Sequence, residues 1–173
     1  GLAAGKGVEI CNTLDEARES ISKLLKSGEK IIIEDFIRGI ELSSIYICNP
    51  NASKNNIGLP WIKDYKSRDE FNSGPNTGGM GSITHPFCSY KKNDVYALNI
   101  EIEKILIKTI VAINSLSGST SKYNGFLYLG LMISTDNDKP YLLEYNCRMG
   151  DPETQSIMMY LHKNDIDFLD LIG

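Results

Sequence analysis

Cysteine and histidine are scarce in this sequence, and neither is arranged as in a metal finger. Four cysteines and two histidines occur among 173 residues. No C-x-x-C pair is present, and the cysteines are widely spaced, at Cys11, Cys48, Cys88 and Cys147. This spacing excludes a zinc finger and does not indicate a disulfide framework. We therefore expect a reducing compartment, the cytoplasm.

Long apolar runs are also missing. The longest, residues 126–133, is far shorter than the roughly 20 apolar residues that a membrane-spanning helix needs. The sequence does not open with a basic stretch followed by an apolar one, as a secretory signal does. We expect no association with a membrane.

Basic runs are absent, the longest being the pair Lys91-Lys92. The formal net charge is −4, from 18 Lys and Arg against 22 Asp and Glu. This pattern lacks the continuous basic stripe of a nucleic-acid-binding surface. A small polyanion can still bind where a few cations, backbone N–H groups and a divalent metal converge. The charge pattern is thus compatible with a local phosphate site.

The apolar pattern predicts two helices. The first follows a capping box, Thr13 to Glu16, and runs to Gly28. Its expected inner side consists of Leu14, Ala17, Ile21, Leu24 and Leu25. The second helix covers residues 94–116 and has Asn93 as its N-cap. Its expected inner stripe consists of Val95, Leu98, Ile102, Ile105, Leu106 and Ile113.

Strands are predicted over residues 8–11, 30–36, 41–48, 57–66, 126–135 and 141–146. The last two are expected to form a second sheet. Residues 67–90 are rich in Gly, Ser, Asn and Pro, which predicts a long irregular loop. We expect residues 67–82 to be mobile without ligand because of their glycine content. Together these elements predict an α+β fold with helices packed on mainly antiparallel strands.

Two glycine-rich segments are candidate ligand-binding loops. The first, with Gly5, Lys6 and Gly7, combines a cation with backbone N–H groups that an anion can approach. A tight turn that leads into a strand explains it equally well. The second holds four glycines within residues 74–81, so we expect a ligand or chain to approach its backbone closely. The alternative, a flexible linker, fits poorly because Pro75, Asn76 and Met80 interrupt the glycines.

Acidic residues mark two further candidates. Glu144 and Asn146 alternate on a strand, so their oxygens face one side and suit magnesium. Two solvated polar positions are the alternative, but the charged residues within 147–154 favour a site. Glu34 and Glu41 flank a possible hinge that reads adenine and ribose, and here surface acids are the alternative.

Taken in order, these motifs resemble the phosphoribosylamine–glycine ligase family of the ATP-grasp superfamily. The matching segments read GLAAGKGV, EDFIRGIE, GPNTGGMG, GFLYLGLMI and EYNCRMGDPETQ, and they span residues 1–155. The resemblance implies a partial ATP-grasp fold, with residues 1–35 as the latter part of the lid and residues 36–173 as the catalytic subdomain. It implies ATP-driven ligation of glycine to 5-phosphoribosylamine through glycyl phosphate, with Mg²⁺ or Mn²⁺, in purine biosynthesis.

The resemblance also implies residue roles. Nucleotide binding falls to Gly5, Lys6, Gly7, Glu34, Asp35, Phe36, Ile37 and Glu41, and metal binding to Glu144 and Asn146. Catalytic roles fall to Lys66, Arg148 and Asp151. The pocket for glycine and phosphoribosylamine is expected to involve Asp64, Gly74, Pro75, Asn76, Thr77, Gly78, Gly79, Met80 and Gly81. Tyr65 stands where the family usually carries histidine.

Both ends of the sequence fall within patterns, so we expect a fragment. The resemblance implies further subdomains that this sequence does not include, so we expect the fragment to be inactive alone. We expect a monomer. Two alternatives stay open. One is another ATP-grasp carboxylate–amine ligase, using formate, bicarbonate or a different amino acid. The other is a non-catalytic ATP-binding fragment.

Overall fold

A computed structural model of the chain describes residues 8–26, 28, 30–51, 56–70, 73–84, 92–116 and 122–172. Its elements are, in order, α1 (Leu14–Leu25), β1 (Gly39–Cys48), β2 (Asn56–Gly58), β3 (Ile62–Asp69), β4 (Ser73–Thr84), α2 (Lys92–Leu116), β5 (Gly125–Ser134), β6 (Pro140–Asn146), α3 (Glu153–Lys163) and α4 (Phe168–Ile172). Helices and antiparallel strands are mixed, which confirms the predicted α+β class.

The strands form one six-stranded sheet. Its order is β4-β3-β1-β5-β6, and β2 pairs with β1 outside this path. β1 is paired with β5 over the whole length of both strands, from Gly39 opposite Ser134 to Cys48 opposite Gly125. This ladder joins the early strands to the late ones, so the prediction of a separate second sheet was wrong.

The central strand β1 divides the core because alternate side chains point to opposite faces of the sheet. On one face, Leu42 and Tyr46 belong to a cluster with Ile102 of α2. On the other face, Ile45 belongs to a cluster with Ile157 of α3. The sheet therefore lies between these two helices.

The helix α2 confirms the predicted inner stripe. Leu98, Ile102 and Leu106 are all buried, at the spacing expected of one helix face. The helix begins at Lys92, so Asn93 lies inside it and is not its N-cap.

The capping box of α1 is present. The Glu16 backbone N–H donates to Thr13 Oγ1 at 3.2 Å, and the Asn12 backbone N–H donates to Glu16 Oε2 at 2.7 Å. The helix ends at Leu25, before the predicted Gly28. Leu14 and Leu25 are 76% and 59% exposed. The predicted inner side was thus wrong in the terminal turns, while the buried residue Ser20 lies at mid-helix.

Two predicted strands, at residues 8–11 and 30–36, have no regular structure. Val8, Ile10, Ile32 and Ile33 are 63% to 81% exposed. β-branched residues stabilise a strand when they pack against neighbours on a sheet, and in the described part of the chain these segments pair with no strand. Local preference alone was therefore misleading here.

The predicted irregular segment 67–90 is largely strand where it is described. β3 continues to Asp69, and β4 pairs with it, for example through Tyr65 opposite Gly81. Backbone hydrogen bonds make this pairing, so glycine residues can take part despite their lack of side chains. Residues 71–72 and 85–90 lie outside the described residues, and the expected mobility stays a prediction.

The structure also describes three of the four cysteines. The three cysteines of the described ranges, Cys11, Cys48 and Cys147, are free thiols, and Cys88 lies outside those ranges. Among the described helices, none has the length and apolar character needed to cross a membrane.

Candidate active site

Polar side chains collect on the sheet face that packs against α3. β1 provides Glu41 and Ser43, which share the face of Ile45 because they alternate along the strand. The neighbouring strand β3 provides Asp64 and Lys66. The strand order β3-β1-β5-β6 sets these groups side by side.

Lys66 and Glu41 form an ion pair across β3 and β1. Lys66 Nζ lies 2.8 Å from Glu41 Oε2, and both side chains are partly exposed. Burial alone would lower the pKa of Lys66. The hydrogen bond to Glu41 and the negative charges of Glu41, Asp64 and Glu144 outweigh burial and raise that pKa. Lys66 thus stays charged. The ion pair joins Lys66, a predicted catalytic residue, to Glu41, the predicted ribose-binding carboxylate.

Asp64 is half-buried beside this pair. Its Oδ1 is enclosed and accepts no hydrogen bond from the described residues. Burial first, and then the negative charge of Glu153, raise the pKa of Asp64 to about 6, although Lys66 acts in the opposite direction. The structure therefore contains a carboxyl group that titrates close to neutral pH.

The octapeptide of residues 74–81 lies on β4, next to Asp64. Gly79 has φ of +130°, which strains any other residue. A Cβ at Gly79 would lie 2.5 Å from Pro152 Cδ and 3.4 Å from Asp64 Oδ1. A glycine is thus required where β4, Asp64 and the turn before α3 meet.

Hydrogen bonds fix β4 against that turn. Ser82 Oγ donates to the Pro152 carbonyl at 2.8 Å, and Ser156 Oγ donates to the Ser82 carbonyl at 3.0 Å. Thr77 Oγ1 donates to the Lys66 carbonyl at 2.8 Å. Two motifs that are about 70 residues apart in the sequence are therefore adjacent in the fold.

The structure describes fewer contacts for the remaining residues of the octapeptide. Gly74 has φ of +76°, and Met80 is 60% exposed. A Cβ at Gly78 or Gly81 would have no neighbour within 4 Å among the described atoms. The side chains of Pro75 and Asn76 lie outside what the structure describes.

Glu144 and Asn146 lie side by side on β6, as their alternation predicts. Asn146 Nδ2 is 3.5 Å from Glu144 Oε1. Glu144 is opposite Gly130 of β5, and a Cβ on Gly130 would lie 2.8 Å from Glu144 Cγ. Gly130 thus makes room for the carboxylate, a role that sequence reasoning missed.

Arg148 and Asp151 lie in the segment between β6 and α3, and both are exposed. Arg148 Nη1 donates to the Met149 carbonyl at 2.9 Å. Asp151 Oδ1 accepts from Gln155 Nε2 at 2.7 Å. Both side chains are held locally at the edge of the polar face.

Glu153 is the central buried charge of this face, and sequence reasoning assigned it no role. It is 3% exposed. Its Oε1 accepts from Tyr128 Oη at 2.7 Å and from Ser43 Oγ at 3.1 Å. A Cβ on Gly150 would lie 2.6 Å from Glu153 Cδ, so this glycine makes room for the carboxylate. The available signal was an acid at the start of an apolar helix pattern, with Ile157 and Leu161 on one side.

Tyr128 joins this network from β5. Its hydroxyl group lies 2.6 Å from Ser43 Oγ. Burial raises the pKa of Tyr128, and the carboxylate of Glu153 raises it further. The tyrosine therefore remains a neutral hydrogen-bond donor to Glu153.

The predicted hinge lines a cavity of about 450 Å³. Its walls comprise Glu34, Asp35, Phe36, Ile37, Ser134, Asp136, Asn137, Tyr141, Leu142 and Leu143. The cavity borders β6 just before Glu144. The predicted phosphate loop of Gly5, Lys6 and Gly7 lies outside the described residues.

Metal-binding side chains are sparse in the described ranges. No three His, Cys, Asp or Glu side chains converge there as a metal cluster. The predicted metal pair thus consists of one carboxylate and one amide, and it would need additional ligands.

Comparison with known proteins supports the resemblance seen in the sequence. Residues 1–154 match the family described as phosphoribosylglycinamide synthetase, ATP-grasp (A) domain. The phosphoribosylamine–glycine ligase of Clostridium acetobutylicum is 39% identical, and the match covers 100% of this chain and 39% of that protein. The phosphoribosylamine–glycine ligase of Vigna unguiculata is 36% identical over 98% of this chain and 53% of its own length.

A solved structure has the same fold. The crystal structure of the Thermotoga maritima phosphoribosylamine–glycine ligase superimposes with a TM-score of 0.74 at 39% identity. The match covers 92% of this chain and 39% of that one. The chain thus spans less than half the length of most of the relatives named here. It belongs to the phosphoribosylglycinamide synthetase ATP-grasp domain family.

Proposed function

We propose that this chain is the nucleotide-binding and catalytic part of a ligase that joins glycine to 5-phosphoribosylamine. The products are glycinamide ribonucleotide, ADP and phosphate, as a step of purine biosynthesis. One observation supports this most directly. The octapeptide of β4, the turn at Pro152 and the carboxyl group of Asp64 meet at one point, through Gly79. A substrate pocket built from the two most specific motifs requires this convergence.

We place ATP along the hinge and the edge of the polar face. Adenine would occupy the cavity lined by Glu34, Asp35, Phe36 and Ile37. Glu41 would accept hydrogen bonds from the ribose, while Lys66 balances its charge. Gly5, Lys6 and Gly7 would cover the phosphates. Residues 1–35 would form the latter part of the lid and residues 36–173 the catalytic subdomain.

Glu144 and Asn146 would hold Mg²⁺ or Mn²⁺. A carboxylate and an amide oxygen are hard ligands that suit either cation. The space over Gly130 accommodates the carboxylate, and rotation of the Asn146 amide presents its oxygen beside Glu144. Such a cation would neutralise negative charge on the phosphates of ATP.

The first chemical step would form glycyl phosphate. A carboxylate oxygen of glycine attacks the γ-phosphorus, and the bond to the β-γ bridging oxygen breaks with its electron pair, which leaves ADP. Arg148 would stabilise the charge on the acyl phosphate oxygens, a role suited to a planar guanidinium with five donors. Lys66 and Asp151 would orient glycine at the same edge.

The second step would transfer the glycyl group to the amine of 5-phosphoribosylamine. The octapeptide, with Asp64, would form the wall against which this substrate lies. We further propose that the protein acts in the cytoplasm as a monomer.

A chimera tests this function. The homologous segment of the Clostridium acetobutylicum relative is replaced by this chain, and ADP release is measured with and without glycine and 5-phosphoribosylamine. We expect release that needs both substrates. The substitution Glu144→Ala should abolish it, whereas the control Glu101→Ala, at an exposed position of α2 on the other side of the sheet, should not.

Three results would contradict parts of the proposal. Full activity of Glu144→Ala would refute the metal assignment. Preference for a different acid would indicate another ATP-grasp ligase. Nucleotide binding without glycine-dependent exchange between ADP and ATP would indicate a binding module that lacks catalysis.

A further inference from the structure

Aminolysis of an acyl phosphate requires a proton acceptor. The amine nitrogen forms a bond to the carbonyl carbon, and the bond from that carbon to the phosphate oxygen breaks with its electron pair on the phosphate. The nitrogen then carries one proton more than the product amide. A positioned side chain that accepts this proton typically accelerates such a step by about 10²- to 10⁴-fold.

We propose that Asp64 accepts this proton and that Glu153 is the positioning residue that keeps Asp64 in this role. The inference rests on the function proposed above, which supplies the amine and the acyl phosphate. After transfer, the neutral Asp64 returns the proton to solvent.

The location of Asp64 supports this role. It lies where β4 and the turn at Pro152 meet, which is the wall assigned to 5-phosphoribosylamine. The residue is half-buried, and its enclosed Oδ1 would lie 3.4 Å from a Cβ at Gly79. An enclosed oxygen without a donor also favours the protonated state, because a carboxylate there is poorly solvated.

The other ionisable groups of the face are less suitable. Lys66 is charged and paired with Glu41. Glu153 is enclosed and already accepts two hydrogen bonds. Asp151 is exposed and holds Gln155. Among these groups, Asp64 is the carboxyl group that is half-buried directly beside the octapeptide.

The charges around Asp64 come from three elements. Lys66 on its own strand favours the carboxylate, whereas Glu41 of β1 and Glu153 of α3 disfavour it. The strand β4, which packs against it, carries no ionisable side chain. Burial and the two acids outweigh Lys66, so the pKa of Asp64 rises to about 6. At pH 7 to 8 the group is then still ionised and is a stronger base than an ordinary aspartate.

Glu153 acts on Asp64 through charge and through position. Tyr128 and Ser43 fix its carboxylate, and its helix begins directly after Pro152, which contacts the octapeptide at Gly79. A rotation of Glu153 would alter both the field at Asp64 and the placement of the turn. Glu153 therefore influences the reaction without contact with substrate.

The first test separates the two chemical steps in the chimera. Hydroxylamine traps glycyl phosphate as a hydroxamate, which reports the first step alone. Asp64→Asn should slow transfer to 5-phosphoribosylamine by about 100-fold or more beyond any loss that it causes in hydroxamate formation. An equal loss in both steps, or no loss in the second, would overturn the proposal. An unsubstituted chimera that forms no glycine hydroxamate would instead refute the proposed function, and the amine role with it.

The second test measures the pKa of Asp64 directly, by NMR titration of ¹³C-labelled aspartate in this chain. Glu153→Gln retains the shape and an acceptor oxygen but removes the charge. We expect it to lower the pKa of Asp64 by about one unit. In the chimera, the acidic limb of the pH profile should move by the same amount, and transfer at pH 8 should slow by about threefold.

A purely structural role for Glu153 predicts a different result. Glu153→Gln would then lower the rate at every pH and leave the acidic limb in place. The control Glu101→Gln, at an exposed position of α2, should change neither the pKa of Asp64 nor the acidic limb. A pKa of Asp64 at or below about 4 in the unsubstituted chain would overturn the inference irrespective of any activity.

Discussion

The hydrogen bond from Tyr128 to Glu153 is expected to contribute substantially to stability. Its donor and acceptor lie 2.7 Å apart, and Glu153 is 3% exposed. Tyr128→Phe removes the hydroxyl group and leaves Ser43, at 3.1 Å, as the remaining donor to that oxygen in the described structure. A hydrogen bond to a charged group typically contributes about 1.5 to 3 kcal/mol. We expect the free energy of unfolding to fall by about 2 kcal/mol.

Tyr123 provides a matched control. Its hydroxyl group donates to the Phe126 carbonyl at 2.6 Å, so Tyr123→Phe removes a similar bond to an uncharged acceptor. The expected loss is about 1 kcal/mol. For a chain of this size, the difference between the variants corresponds to about 2 to 4 °C in Tm.

Urea unfolding followed by the fluorescence of Trp61, the single tryptophan, measures both variants. The combined substitution Ser43→Ala with Tyr128→Phe should cost more than the sum of the two single changes. Each single variant leaves Glu153 one donor, whereas the combined variant leaves it neither of the two. A loss for Tyr128→Phe no greater than that for Tyr123→Phe would refute the view that a buried carboxylate depends on this tyrosine.

Three further predictions concern the glycines and Asp64. Gly79→Ala should lower the free energy of unfolding by about 2 kcal/mol or more, measured by urea unfolding, since its Cβ would meet Pro152 at a positive φ. Gly130→Ala should displace Glu144 and weaken Mn²⁺ binding in the presence of ATP by about tenfold, measured by electron paramagnetic resonance. The pKa of Asp64 is raised from 3.8 to about 6, so its contribution to stability is present at low pH and is lost as pH rises through that range. Asp64→Asn should remove this pH dependence. With allowance for partial solvation, its free energy of unfolding at pH 7.5 should be about 1 kcal/mol higher than that of the parent chain. Unchanged stability of Gly79→Ala would contradict the first expectation, and unchanged Mn²⁺ affinity of Gly130→Ala would contradict the second. An unchanged pH dependence of stability in Asp64→Asn would contradict the third.

Elements with a regular side-chain pattern were predictable from the sequence. The β-rich composition of residues 41–48 and the helical spacing of Leu98, Ile102 and Leu106 both gave elements close to the observed ones. Each signal depends on which side of the element faces a core, and that information is local.

The predictions for β4 and for residues 30–36 were wrong for opposite reasons. The octapeptide has few side chains to reveal a strand, yet its backbone pairs with β3. Ile32 and Ile33 have a strong preference for strands, yet no described strand lies beside them. In both cases a neighbour distant in sequence decided the outcome, and local preference carries no information about that neighbour.

The candidate site was partly predictable on the same grounds. Glu144 and Asn146 are close because alternate residues of a strand point to the same face. Their spacing can be read directly from the sequence. The pair of Lys66 and Glu41 depends on β3 lying next to β1, and the burial of Glu153 depends on α3 covering Tyr128. Neither arrangement follows from residue types, because both require knowledge of the strand order.

In the ladder between β1 and β5, alternate side chains point to two different faces of the sheet. Odd-numbered β1 positions such as Glu41 and Ser43 meet the polar face, and even-numbered ones such as Leu42 and Tyr46 meet α2. A protein engineer can therefore redesign the interior beneath α2 to raise thermal tolerance, because the paired backbone of the two strands separates that interior from the polar face.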